Sequence, residues 1–168
     1  MTAADADAPA FSASCRLAGA AATDAFARSL APRLGAGDTL LLGGPIGAGK
    51  TAFARALIEA RGVAEDVPSP TFTLVQTYHA EGLEIWHCDL YRVTRPDDVL
   101  ELGLDEAFDD ALCLVEWPDR LGDLAPADAL RLDFALVGGD PDARELTASG
   151  PARWSWVGTL MAEGPAHG

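Results

Sequence analysis

The chain has 168 residues, of which 26 are acidic and 12 are basic, so its formal net charge at pH 7 is -14. Apolar residues make up 49% of the chain, which excludes global disorder, and the length suits one domain with a sizeable core. A strongly acidic surface repels phosphate backbones and anionic lipids, which excludes an independent nucleic-acid binder and direct contact with membranes. Lys50 is the only lysine in the sequence.

The cysteines and the N-terminal residues predict a cytoplasmic protein. Cys15, Cys88 and Cys113 are odd in number and lack CxxC spacing, which is typical of reduced thiols and argues against a zinc site. Residues 1–14 lack the basic and apolar regions of a secretory signal. No apolar run reaches the roughly 18 residues that a membrane-spanning helix needs.

The first part of the chain predicts a strand, a helix and the start of a βα unit. The alternating residues Phe11–Leu17 are typical of a short edge strand, and the amphipathic run after Thr23 predicts a helix. Pro32 bends or ends that helix. Residues 39–42 predict a short apolar strand, and a second helix, which follows a glycine-rich stretch, ends at Gly62.

The second part predicts a hairpin and several further strands. Segments 71–78 and 83–91 flank a turn at 80–82 and predict the hairpin. A short helix can start at Arg95, and the apolar run 111–117 is suited to a strand that is buried on both faces. Two more strands and a short helix are predicted at 129–137, 143–149 and 154–164.

One segment matches the phosphate-binding loop pattern G-x-x-x-x-G-K-[ST] at every fixed position: Gly44, Pro45, Ile46, Gly47, Ala48, Gly49, Lys50 and Thr51. Its glycines let the backbone turn N–H groups toward an anion, and the following helix adds the positive end of its dipole. Lys50 can reach the β- and γ-phosphates, and the Thr51 hydroxyl suits Mg²⁺. A plain glycine turn is the alternative, but the position between a strand and a helix favours nucleotide binding.

Two acidic residues end predicted strands beside this loop. Asp89 and Glu116 are both candidates for the carboxylate that a phosphate-loop enzyme uses to hold Mg²⁺ or its waters. Each could instead be a solvated side chain at a strand end. His87 is a possible proton carrier, although a hydrogen-bonded structural histidine is the favoured interpretation. Trp117 could cover the nucleotide or fill the core, and the sequence favours neither.

These patterns predict an α/β fold: a single P-loop NTPase-like domain with a central, mostly parallel sheet, a hairpin and flanking helices. The domain is expected to span residues 11–162. Residues 1–10 and 163–168 are expected to be disordered.

Taken together, the motifs resemble the bacterial TsaE (YjeE) family, the small ATPase of tRNA threonylcarbamoyladenosine biosynthesis. The resemblance runs from about residue 17 to 120, with the motifs in family order. The segments that carry it are Leu17 with Thr23, then 44–51, 69–73, 87–92, 101–103 and 113–117.

The resemblance implies roles for individual residues. Thr23 would lie on the adenine side of the nucleotide, and residues 69–73 would form a switch-like loop that senses the γ-phosphate. Thr51 and Glu116 would hold Mg²⁺, with Asp89 supporting the metal or the attacking water. The implied catalytic residues are Lys50, Asp89 and Glu116, and the implied nucleotide contacts add Gly44, Pro45, Ile46, Gly47, Ala48, Gly49, Thr51 and Ala52.

The resemblance also implies the activity and the partners. A chain of this family would hydrolyse ATP with Mg²⁺, as part of forming the threonylcarbamoyl group on the adenosine beside the anticodon of tRNAs that read codons starting with A. Its partners would be TsaD, which performs the transfer, and TsaB, and its ATP hydrolysis would reset their complex between rounds. Contact with tRNA is expected only through that complex.

Three positions depart from the family pattern. Pro45 replaces an acidic residue, and Ala52 replaces a second threonine, while the hydroxyl of Thr51 is retained. Pro151 stands where an arginine often follows a glycine, which makes Arg153 a candidate replacement. Arg92 and Arg120 lie near the right strands, but neither is an obvious arginine finger.

Two other functions compete with this interpretation. A small-molecule kinase of the shikimate-kinase type would have a similar loop, but its acidic D-x-D element is missing after Lys50, as is an arginine-rich lid. A nucleotide-binding scaffold without turnover is the second alternative.

Overall fold

The computed structural model describes residues 10–63, 67 and 74–163, and these form seven strands, five α-helices and three short 3₁₀ segments. The strands are β1 (Phe11–Leu17), β2 (Thr39–Gly43), β3 (Val75–Ala80), β4 (Leu83–Asp89), β5 (Leu112–Glu116), β6 (Leu130–Val137) and β7 (Asp140–Gly150). The helices are α1 (Ala20–Leu30), α2 (Lys50–Ala60), α3 (Pro96–Glu101), α4 (Leu104–Asp110) and α5 (Ser155–Glu163). The 3₁₀ segments are Ala31–Arg33, Pro118–Leu124 and Ala152–Trp154.

The strands form one mixed sheet in the order β1-β7-β6-β2-β5-β4-β3. Its four central strands, β6, β2, β5 and β4, are parallel to one another. The pairings β1–β7, β6–β7 and β3–β4 are antiparallel. The predicted α/β fold and its hairpin are therefore confirmed, with the parallel pairing concentrated at the centre of the sheet and antiparallel strands on either side.

Helices cover both faces of the sheet because the side chains of its central strands alternate between two apolar clusters. On β2, Leu40 and Leu42 belong to the cluster that packs against α1, α2 and α5. Leu41 belongs to the cluster that contains residues of α3 and α4. All five residues of β5 are buried, as predicted for a strand that is covered on both faces.

Most element boundaries follow the sequence pattern, with differences at two strands and at the helices. Strand β3 extends to Ala80, where the turn was predicted to begin, and β7 begins at Asp140, three residues before the predicted strand. Helix α1 begins at Ala20 and so contains Thr23, which was expected to precede the helix. The helix gives way to a 3₁₀ turn around Pro32, as its ring predicts. Helix α4 was not predicted, and it follows Gly103, whose φ of 82° is a left-handed conformation that glycine adopts without strain.

Strand β6 approaches the loop after β2 so closely that a side chain would not fit there. A Cβ atom added to Gly44 would lie 2.4 Å from the backbone oxygen of Phe134, and the φ of Gly44 is 132°. Both the contact and the backbone angle therefore require glycine at this position. This packing places the start of the loop directly against the sheet.

The cysteines are free thiols, as the sequence predicted. Cys88 and Cys113 are buried on neighbouring strands, and burial raises the pKa of Cys113 to about 12. Such a thiol stays neutral, so it contributes apolar packing and has little nucleophilic character.

The expected disordered ends fall almost entirely outside the described residues. Within them, Glu163 is the last residue of α5, so the helix reaches one residue beyond the predicted domain. Across residues 10–63, 67 and 74–163, no helix is long and apolar enough to cross a bilayer.

Candidate nucleotide-binding site

The glycine-rich loop lies between the carboxyl end of β2 and the first turn of α2. Gly47 and Gly49 have φ values of 82° and 105°, so both use the left-handed conformation that turns the backbone tightly. Gly49 also precedes the first residue of α2. The first N–H groups of a helix have no partner within the helix, and together with the helix dipole they favour an anion at this point.

Three parallel strands bring the acidic side chains to the same edge as the loop. Leu42 on β2 pairs with Glu116 on β5, and Glu116 pairs with Asp89 on β4. Ligands of open α/β sheets bind outside the carboxyl ends of such strands. The sequence-predicted convergence of loop and carboxylates is therefore present in the fold.

Lys50 is almost completely buried at the start of α2. Its Nζ donates to the backbone oxygen of Gly44 at 2.6 Å and lies 3.6 Å from the centre of the Trp117 ring. Burial lowers the pKa of Lys50, while the charges of Glu116 and Asp89 act in the opposite direction. The ammonium is thus held inside the loop by one carbonyl and one aromatic face.

The Thr51 hydroxyl and the Glu116 carboxylate are in direct contact. Thr51 Oγ1 donates to this carboxylate, with Oε1 at 2.8 Å and Oε2 at 3.0 Å. On its other side, Glu116 Oε2 lies 2.7 Å from Nε2 of His87, which is fully buried. The favoured interpretation of His87 as a hydrogen-bonded histidine is confirmed, and its partner is the carboxylate that was predicted to hold metal.

Asp89 ends β4 beside this pair and is also buried. Its Oδ1 accepts the backbone N–H of Tyr91 at 2.9 Å, and its own N–H donates to the backbone oxygen of Leu74 at 2.9 Å. These bonds fix the direction in which the chain leaves the sheet after Asp89.

A cavity of about 410 Å³ opens over the loop, which is within the size range of small-molecule sites. Among the residues that the structure describes, eleven line it: Ile46, Gly47, Gly49, Lys50, Thr51, Ala52, Asp89, Tyr91, Arg92, Glu116 and Trp117. Most predicted site residues are therefore gathered around one space. Gly44, Pro45 and Ala48 belong to the same loop but do not line the cavity.

Trp117 lines the cavity and also packs against the apolar cluster that contains Leu41. Its φ of 59° is left-handed, and its ring packs 4.9 Å from the ring of Tyr91. Because the same ring covers the Lys50 ammonium, Trp117 forms an aromatic wall of the cavity. Tyr91 was not singled out from the sequence, although its place two residues after a strand-end aspartate is a usable signal.

Several predicted residues lie elsewhere or are not described. Thr23 is buried on α1, where its hydroxyl donates to the Gly19 oxygen at 3.5 Å, and it does not line the cavity. Its adenine-side role stays a prediction. The expected switch-like loop at 69–73 lies outside the described residues. Arg120 is exposed and does not line the cavity.

Arg144 contacts the phosphate loop, whereas Arg153 lies away from it. Arg153 pairs with Asp38, 3.1 Å away, at the amino end of β2, which is the opposite end of that strand from the loop. Arg144 on β7 donates to the backbone oxygens of Gly47 and Ala48 at 3.1 and 3.2 Å. Arg144 does not belong to any sequence motif. Its contact with the loop arises only when the β6–β7 hairpin folds beside that loop.

The donors at this site fit Mg²⁺ bound together with phosphates. Thr51 and Glu116 offer hard oxygen ligands, and Asp89 lies beside them; Mg²⁺ prefers such ligands and normally keeps waters or phosphates as well. Within the described ranges, no group of three or more His, Cys, Asp or Glu side chains could hold a metal ion. These residues alone therefore do not form a metal site, and Mg²⁺ binding here would depend on a phosphate ligand as well.

A sequence model of the family described as Threonylcarbamoyl adenosine biosynthesis protein TsaE matches residues 17–145. The chain belongs to the TsaE family. It is 39% identical over 119 residues to the tRNA threonylcarbamoyladenosine biosynthesis protein TsaE of Rickettsia bellii, an alignment that covers 70% of this chain and 83% of the relative. It is 38% identical over 126 residues to the protein of the same name from Bacillus subtilis, covering 74% and 77%.

The fold of this TsaE-family chain also matches a solved structure. The crystal structure of Bacillus subtilis YdiB aligns with a TM-score of 0.75 and 29% sequence identity, covering 91% of this chain and 95% of YdiB. The family matched by sequence is thus the one that the motifs indicated, and the likeness of the fold extends over strands that lie outside those motifs.

Proposed function

We propose that this TsaE-family protein is a Mg²⁺-dependent ATPase of tRNA threonylcarbamoyladenosine biosynthesis, acting with TsaD- and TsaB-type proteins. The observation that carries the proposal is the meeting of three groups at one cavity: the Lys50 ammonium, the Thr51 hydroxyl and the Glu116 carboxylate. The names of its relatives place them in that biosynthesis, which supports the same role here.

The chain's own groups have distinct tasks in such a reaction. The loop N–H groups and Lys50 would bind the phosphates and offset the charge that develops during phosphoryl transfer. Thr51 and Glu116 would hold Mg²⁺, which would supply positive charge to offset the negative charge of the phosphates. Asp89 and Glu116 both stay candidates for orienting the attacking water. Since no covalent intermediate with the protein is needed, positioning is the main contribution.

The rim of the cavity supports a role for partner proteins. Ile46 is 71% exposed and Tyr91 is 44% exposed, and both line the cavity. Large apolar side chains at the mouth of a polar site are suited to cover by another protein. The chain has a net charge of -14 and would repel the phosphate backbone of tRNA. We therefore expect its partners to make the contact with tRNA.

We expect ATP turnover to be slow for the isolated chain and to rise when TsaD and TsaB are added, because closure by partners excludes water and completes the site. Phosphate release measured with and without both partners tests this. A serum albumin addition controls for nonspecific protein effects. An unchanged rate would contradict the coupling, and ATP binding without any release would instead indicate a nucleotide-binding scaffold.

A further inference from the structure

Arg144 contacts the phosphate loop from outside the cavity. It stands on β7 opposite Leu136 of β6. Its Nε donates to the Ala48 oxygen at 3.2 Å and its Nη2 to the Gly47 oxygen at 3.1 Å. Its Nη1 donates to the backbone oxygens of Pro141 and Ala143, both at 2.8 Å. One guanidinium therefore links the β6–β7 hairpin to two successive carbonyls of the loop.

These contacts control the directions of the loop N–H groups. A trans peptide points its N–H away from its C=O, so a peptide group that is held by its oxygen is also fixed in the direction of its nitrogen. The bond to the Ala48 oxygen fixes the peptide group that contains the Gly49 N–H. Gly49 is the residue before α2, where the N–H groups of a phosphate loop meet the anion.

The loop needs such a restraint because its own sequence is permissive. Gly47 and Gly49 both adopt left-handed φ values, and glycine has access to many other conformations. Within the loop, the Ala48 N–H donates to the Pro45 oxygen at 3.2 Å, which closes one turn. The planar guanidinium adds two donors in a fixed arrangement, whereas an ammonium is a single charge on a flexible stem.

We propose that Arg144 is a positioning residue that holds the phosphate loop in the conformation that binds phosphates, and this inference rests on the nucleotide binding proposed above. Arg144 contacts loop oxygens and does not line the cavity. Its effect on ligands is therefore transmitted through the Gly47–Ala48 and Ala48–Gly49 peptide groups. Loss of the guanidinium leaves Lys50, Thr51 and Glu116 in the chain while releasing the loop backbone.

Calorimetric titration of the purified chain with ADP and with ATP, each with Mg²⁺, tests the inference on Arg144→Gln and Arg144→Lys. We expect Arg144→Gln to bind both nucleotides about tenfold more weakly, since two loop hydrogen bonds are lost. Arg144→Lys should recover only part of the loss, because an ammonium does not reproduce the paired donors. Arg28→Gln is the matched control, since Arg28 is a half-exposed arginine that pairs with Asp24 and Glu59 away from the loop.

A further readout separates positioning of the loop from general stability. Free guanidinium ion, added to Arg144→Ala far below unfolding concentrations, should restore part of the nucleotide affinity and leave Arg28→Ala unchanged. Equal affinities of wild type and Arg144→Gln would overturn the inference, as would a loss of affinity that guanidinium and lysine both fail to recover. If the wild type itself bound neither nucleotide, the proposed function would be overturned, and the inference that rests on it would fall as well.

Discussion

Replacement of Lys50 by alanine is expected to abolish Mg²⁺-dependent ATP hydrolysis, lowering the rate by about a hundredfold or more. Lys50 is the only lysine, and its ammonium is enclosed by the Gly44 oxygen and the Trp117 ring at the wall of the cavity. A phosphate group entering the cavity would meet this charge where little water competes with it. The measurement is phosphate release from ATP, with TsaD and TsaB present.

The control for this change is Arg28→Ala, which removes one positive charge from a half-exposed ion pair on helix α1, at a residue that does not line the cavity. It should keep the wild-type rate. Lys50→Arg is informative as a second variant, because it keeps the charge but replaces a compact ammonium with a larger planar group. Wild-type activity in Lys50→Ala would remove this residue from the site.

Glu116→Gln is expected to lower Mg²⁺-dependent hydrolysis by about a hundredfold, while ATP binding measured without Mg²⁺ stays close to wild type. Glutamine keeps the size of the side chain and an oxygen that can accept from Thr51. It removes the negative charge that Mg²⁺ would meet, so the metal should be held less firmly. Phosphate release across a range of Mg²⁺ concentrations gives both the rate and the metal requirement.

A matched control for this change is Glu145→Gln on β7, where the side chain is exposed and the same charge is removed. Glu116→Ala is a harsher variant, since it also leaves the buried His87 without its carboxylate partner. An unchanged Mg²⁺ requirement and rate in Glu116→Gln would show that another group holds the metal. Asp89→Asn would then be the next variant to measure.

The sequence was most informative where functional residues are neighbours in the chain or stand at the end of a predicted strand. Lys50 and Thr51 are consecutive, and the loop that holds them follows a short apolar strand, so local pattern was enough to place them. Glu116 ends a strand that is buried on both faces, and parallel pairing with β2 brings it to the loop. The strand pattern therefore predicted an acidic group at the right edge before any contact was known.

Residues that meet the site through tertiary packing could not be predicted in the same way. Arg144 lies 95 positions after Gly49, and its contact with the loop depends on the β6–β7 hairpin folding beside β2. Trp117 could have filled either the core or the cavity, because an aromatic residue after a strand suits both. In the structure it does both, since its ring covers Lys50 at the cavity and packs against the apolar cluster that contains Leu41.

The local sequence pattern also predicted the start of α1 too late in the chain. The polar Thr23 suggested a helix boundary, whereas the helix begins at Ala20 and buries Thr23 against the sheet side. Its hydroxyl is satisfied by the Gly19 oxygen, which is how a buried threonine is tolerated inside a helix. Packing against the core thus outweighed the preference of threonine for a helix cap.

The most direct test of the proposed role measures threonylcarbamoyladenosine formation on tRNA by purified TsaD and TsaB. The reaction contains the precursors of the modification and a large excess of tRNA over protein. With the wild-type chain and ATP, modified tRNA should exceed the amount of TsaD, which shows repeated rounds. With Lys50→Ala, formation should stop near one round. Equal accumulation of modified tRNA with the wild type, with Lys50→Ala and without the chain would contradict an ATP-driven role for this protein.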